Sequence, residues 1–135
     1  MNKIKFLKYH TEFGDDYHRN YIDNPLVILA DFSLTEIACC GNFRLQRLIN
    51  TLEEEDDDST CGNMIDIEKR GHYLYLGYVL NNPEYPYERL KISKEELFKV
   101  MMKWEKLMKK KPEKISLIHD NETFELIEEN NVIKK

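Results

Sequence analysis

The chain reads as a single α+β domain: an antiparallel sheet of about five to six strands with helices packed on one face. Three observations predict this. One strongly amphipathic helix is written between Ser93 and Pro112. Short runs with strand character lie on both sides of it. And 135 residues, 41% of them hydrophobic, suffice for one core without dividing into two.

The helix comes first because it dictates the need for a sheet. Ser93 is followed three residues later by Glu96, the spacing of a capping box, in which Ser93 accepts from the third amide and Glu96 returns to the cap amide. Leu97, Val100, Met101, Trp104, Leu107 and Met108 then recur on one helical face, with Lys99, Lys103, Lys106 and Lys110 opposite. Lysines suit the negative end of the helix dipole, and Pro112 stops the helix. Burying the six apolar side chains contributes on the order of 10 kcal/mol at most, so another surface has to cover them.

Downstream, residues 115–118 and 123–127 flank His119-Asp120-Asn121-Glu122 and read as a hairpin, since Asp and Asn tolerate left-handed backbone. Upstream, residues 64–68 alternate with period two, Arg70-Gly71 makes a turn, and residues 73–80 form a tyrosine-rich strand. Residues 87–92 read as a further strand leading into the helix.

The first half is less legible. Residues 1–10 fit either an edge strand or the first turn of a helix. Residues 11–24 are polar and read as a loop. Leu26 to Ala30 is a continuous apolar run suited to a strand covered on both faces. Ser33 and Glu36 repeat the capping-box spacing, predicting a helix from Leu34 to about Glu54 that breaks at Gly41-Asn42.

Formal net charge is -5, unevenly spread. Residues 53–68 hold eight acids (Glu53, Glu54, Glu55, Asp56, Asp57, Asp58, Asp66, Glu68) and no Lys or Arg. Residues 91–114 hold nine lysines against four acids. A net acidic chain lacks the basic footprint of a nucleic-acid binder. No apolar run approaches the ~20 residues of a membrane span, and no signal-peptide pattern follows MNKIKFLKYH; the expectation is a cytoplasmic protein. Three cysteines (Cys39, Cys40, Cys61), an odd number without CxxC spacing, predict reduced thiols rather than a disulfide framework.

Searching for chemistry returns little. An EF-hand loop opening at Asp56 would need glycine at its sixth position and glutamate at its twelfth, where Cys61 and Ile67 stand. No GxSxG, HExxH, Walker A or GxGxxG occurs. The reading is therefore no enzyme, no cofactor and no metal. The alternative is a small enzyme using His10 or His18 with Asp15 and Asp16. Another is a structural protein that self-associates through exposed tyrosines. The six consecutive acids at 53–58 repel one another, and such blocks commonly meet a basic partner.

Gly62-Asn63 ahead of a strand, the tyrosine-rich strand, and ISKEELFKVMMKWEKLMKKKPEKISLI closed by a short hairpin resemble bacterial immunity proteins, the partners of contact-dependent growth inhibition and other polymorphic toxins. The resemblance covers residues 62–127. It implies a non-enzymatic protein that binds a cognate toxin domain, often a nuclease, and covers its active site or substrate approach. Since a nuclease presents positive charge to phosphate, the expected partner-binding residues are Glu53, Glu54, Glu55, Asp56, Asp57 and Asp58. Tyr85 and Tyr87 would serve as aromatic anchors. The expected partner is a basic protein toxin domain, with no direct nucleic-acid or membrane contact.

Overall fold

A computed structural model of the protein describes residues 1–53, 57–59, 64–79 and 89–129. The elements run β1 (Asn2–Thr11), β2 (Gly14–Arg19), α1 (Leu26–Phe32), a π-helical turn (Ser33–Ile37), α2 (Ala38–Cys40), α3 (Asn42–Thr51) and β3 (Asp57–Ser59). Then follow β4 (Ile65–Arg70), β5 (Tyr73–Tyr78), β6 (Leu90–Ser93), α4 (Lys94–Lys110), β7 (Lys114–Asp120) and β8 (Thr123–Glu129). The fold is α+β, as expected, but among the described residues the strands divide into two antiparallel four-stranded sheets, β2-β1-β7-β8 and β3-β4-β5-β6. The predicted single sheet would have left α1 no second apolar wall.

Residues 26–32 are helix, not strand. A run without polar residues has no period to read, and burial on every side favours either state. A turn at Asn24 leads into the helix: the Asn24 side chain accepts from the Leu26 amide at 2.9 Å, and the Asn24 carbonyl accepts from Val27 at 3.1 Å. Leu26 to Ala30 and Phe32 are all buried, and α1 touches β1 in one sheet and β5 and β6 in the other. It is the central rod of the core.

The second capping box is absent because Ser33 lies inside that helix, where its hydroxyl donates to the Leu29 carbonyl at 3.1 Å. Glu36 is fully buried and accepts from the Ile65 amide at 3.2 Å. The break does fall at Gly41: its φ is +82°, and the helical axes on either side differ by 105°. α3 ends at Thr51 rather than near Glu54, with Leu52 extended.

The N-terminal residues form the interior strand β1, and residues 14–19 of the predicted loop form its hairpin partner β2. Short polar hairpins carry no apolar alternation to betray them. β1 also pairs with β7. Ile4, Phe6, Tyr17, Ile115, Leu117, Phe124 and Leu126 are thereby gathered into the core.

The α4 reading holds for five of its six stripe residues; Leu97, Val100, Met101, Trp104 and Leu107 are buried, and Met108 is half-buried. Ser93 accepts from the Glu96 amide at 3.1 Å. The Glu96 carboxylate, however, accepts from the Phe124 amide of β8 at 2.8 Å and pairs with Lys99. Half of the box caps the helix, and the other half ties it to the sheet. Lys111 takes the left-handed position after the helix, its φ at +55°. The C-terminal hairpin turns through Asn121, φ +57°. Cys39 is exposed and free, whereas Cys40 is disulfide-bonded, which corrects the expectation of reduced thiols. An odd cysteine count guarantees one free thiol but forbids no bond.

Candidate functional site

The acidic segment leads from the end of α3 into the second sheet. Glu53 is exposed just beyond α3. Asp57 and Asp58 lie in β3, an edge strand. A charged edge strand resists pairing with another chain's strand. Glu54, Glu55, Asp56, Tyr85 and Tyr87 fall outside the described residues.

Strand register shows which neighbours the segment has. Asp57 pairs with Glu68 and Ser59 with Asp66, while Glu68 pairs with Tyr75 and Arg70 with Tyr73. Because side chains alternate between faces, Asp66, Glu68 and Arg70 share the face of Tyr73, Tyr75 and Gly77, opposite buried Ile65, Ile67, Leu74 and Leu76. Lys91 of β6 joins them opposite Tyr75. This face is a weave of acids, cations and rings. Arg89 donates to Asp66 at 2.6 Å and to the Tyr75 carbonyl at 3.2 Å. Arg70 pairs with Glu68 and stands 5.5 Å over the Tyr75 ring, and the Lys91 ammonium is 4.1 Å from the Tyr73 ring centre. The Tyr73 hydroxyl donates at 3.1 Å to Glu122, in the turn that joins β7 to β8.

Tyr73 and Tyr75 stand beside Asp66 and Glu68, and the sequence reading assigned neither to the partner surface. The signal was present: Ile65 and Ile67 alternate with Asp66 and Glu68, and a tight turn at Gly71 fixes which tyrosines stand beside them. The charge count also missed the arginines. Asp66 and Glu68 are met by Arg70 and Arg89, which lie beyond the 53–68 window.

Of the alternative histidine site, the hairpin brings part together. His10 and Asp15 are register partners and their side chains pair, with Lys8 3.9 Å from the same carboxylate. The His10 side chain is 81% exposed, so water is not excluded from the pair. His18 packs edge-on against Tyr9 at 5.2 Å, and Asp16 accepts from the Tyr17 amide at 2.8 Å. The four residues do not form one cluster. Among the described residues no group of three or more His, Cys, Asp or Glu is placed to hold a metal.

A separate groove of about 390 Å³ opens where the helical run bends, between the π-helical turn, β2 and the second half of α4. Trp104 stands at its wall, edge-on to Phe6 at 5.0 Å and to Tyr17 at 6.2 Å. The Tyr17 hydroxyl donates to the Pro112 carbonyl at 2.5 Å. Burial, with the nearby charges of Glu113, Asp15 and Glu128, pushes the Tyr17 pKa up to about 12, so it stays neutral.

No protein-family model, curated protein or solved structure matches this chain.

Proposed function

We propose that the protein is a binding protein of the immunity class, which neutralises a cognate basic, nuclease-type bacterial toxin domain by covering its active site or substrate-binding surface. One observation carries the reading: the acidic run enters an edge strand that pairs with β4 at Glu68 and Asp66, and β4 pairs in turn with the strand of Tyr73 and Tyr75. A flat face with carboxylates, arginines and half-exposed rings has the composition of a protein interface rather than of a catalytic cleft. Glu53 to Asp58 would speed the encounter with a cationic surface, and Tyr73 and Tyr75 would supply contact area once docked.

The test starts from the gene immediately upstream: where it encodes a large secreted protein, that protein's C-terminal domain is co-expressed with this chain. Relief of that domain's toxicity supports the reading, and undiminished toxicity overturns it. Charge reversal at all six positions 53–58 should weaken binding and flatten its salt dependence. Unchanged affinity would remove the acidic run from the mechanism.

Self-association is the second reading, favoured by the outer face of the first sheet. There Leu7, Tyr9 and Ile127 are between 36% and 45% exposed. A sedimentation mass of one chain at high concentration excludes it.

A further inference from the structure

We propose that the face built by α3 and the second half of α4 docks an acidic segment of a second protein, with one bulky apolar side chain of that segment entering the groove at the helical bend. This docking is independent of the toxin reading. Its partner has the opposite charge, and no residue of β3 to β6 lines the groove.

Charge is segregated in this molecule. Helix α3 carries two arginines and no acid, and α4 carries six lysines against three glutamates. The two helices are net +5 in a chain of net -5, so everything else sums to -10. The arginines divide in the same way. Arg19, Arg70 and Arg89, which serve the sheets, all pair with carboxylates. Arg44 and Arg47 of α3 are exposed and, among the described residues, pair with no carboxylate; the same holds for Lys106 and Lys109 of α4. Cations left without acids of their own on one face set up a field that attracts an acidic visitor.

Apolar groups stand among those cations. Phe43 is 77% exposed, with the Arg47 guanidinium 6.0 Å from its ring centre. Met102 is 44% exposed and accepts from the Gln46 amide at 3.4 Å, where the two helices meet. Phe43 and Arg47 are one turn apart on α3, as Met102 and Lys106 are on α4, so each helix presents an apolar group beside a cation. Aromatic residues, methionine and arginine are the types enriched at protein interfaces.

The groove of about 390 Å³ begins at the Gly41-Asn42 end of α3, and Ile37, Ala38, Trp104 and Met108 make its walls apolar. At its rim Lys109 and Lys111 stand against Asp16 and Glu105. The groove itself is therefore neutral and takes the apolar side chain, while the helix surface beyond it meets the acids. Concavity favours a protein segment over a lipid surface, because a side chain fills a slot that a flat bilayer would span and leave wet.

The experiment selects a randomised, phage-displayed peptide library against the full-length protein, then maps the enriched peptides by NMR. Enriched sequences should share an excess of Asp and Glu around one large apolar residue, shift Ala38, Phe43, Arg47 and Met108, and bind more weakly as salt rises. Arg47→Glu combined with Lys106→Glu, both at exposed positions, should weaken binding about tenfold. Ala38→Phe, at an exposed position on the groove wall, should weaken it about as much by filling the slot. Enrichment without an acidic excess, shifts confined to other faces, affinity untouched by the charge reversal, or no enrichment at all overturns the proposal. Sedimentation with vesicles of phosphatidylserine and phosphatidylcholine, lost on charge reversal while no peptide is enriched, would also overturn it and assign the face to lipid.

Discussion

Arg89 lies across Gly77. A Cβ built on Gly77 would stand 3.0 Å from Arg89 Cγ, 3.1 Å from Nη1 and 3.2 Å from Cζ. The glycine therefore keeps open the path by which the guanidinium reaches Asp66. Gly77→Ala should displace Arg89 and lower stability by about 1 kcal/mol through the lost charge-assisted bonds. The sign is informative, because alanine within a strand would otherwise stabilise by about 0.5–1 kcal/mol. Arg89→Ala should cost less in the Gly77→Ala background than in the parent. Equal costs in chemical denaturation would show that the two residues are not coupled.

Ser93 and Glu96 act on different partners, and their energetics should separate accordingly. Ser93→Ala should cost about 1 kcal/mol through the lost cap. Glu96→Ala should cost about 1–2 kcal/mol by leaving the Phe124 amide without its acceptor. Although burial works to raise the Glu96 pKa, the bonds from Lys99 and the Phe124 amide outweigh it, and the net shift is downward. A reciprocal box would make the double variant non-additive. Here the two costs should add within about 0.5 kcal/mol.

Arg19 and Asp31 join β2 to α1 by a two-pronged pair, at 2.6 and 3.0 Å, and the Tyr78 hydroxyl from β5 donates to the same carboxylate at 2.6 Å. Both charged side chains are less than one-sixth exposed. Asp31→Ala would take the carboxylate from a largely buried guanidinium, which keeps its bond to the Asn20 carbonyl at 3.2 Å, and we expect a loss of about 3 kcal/mol. A change below 1 kcal/mol in urea unfolding would mean that the network contributes little to joining the two sheets.

Glu129 links the first sheet to acid pH. The Ser116 hydroxyl at 2.5 Å, with Lys3 and Lys114, holds its carboxyl down at about 2. The folded-state value is depressed, so the contribution is present above the unfolded value of about 4.3 and is lost as pH falls toward 2. With the side chain 30% exposed, we expect on the order of 1 kcal/mol after screening. Glu129→Gln should unfold with a shallower dependence on pH between 4.5 and 2, and an unchanged slope would assign the acid limit to other carboxylates.

What the sequence determined by itself was everything carried by signals a few residues apart. Helix α4 with its serine cap, the hairpins at Gly71 and Asn121, and the bend at Gly41 follow from spacing, capping and backbone freedom, none of which needs a distant partner. Tertiary structure decided the rest. Residues 26–32 became a helix because two sheets enclose them, and an apolar run cannot announce how many walls it will meet. Glu36 and Glu96 sit at capping positions by sequence, yet their carboxylates reach Ile65 and Phe124, which only folding brings near. The sharing of one face by Asp66, Glu68, Tyr73 and Tyr75, and the burial of Asn42 against the Met101 carbonyl, likewise depend on strand register and on the meeting of α3 with α4. Those are properties of surfaces in contact, and a linear pattern of side chains encodes them only through the fold that results.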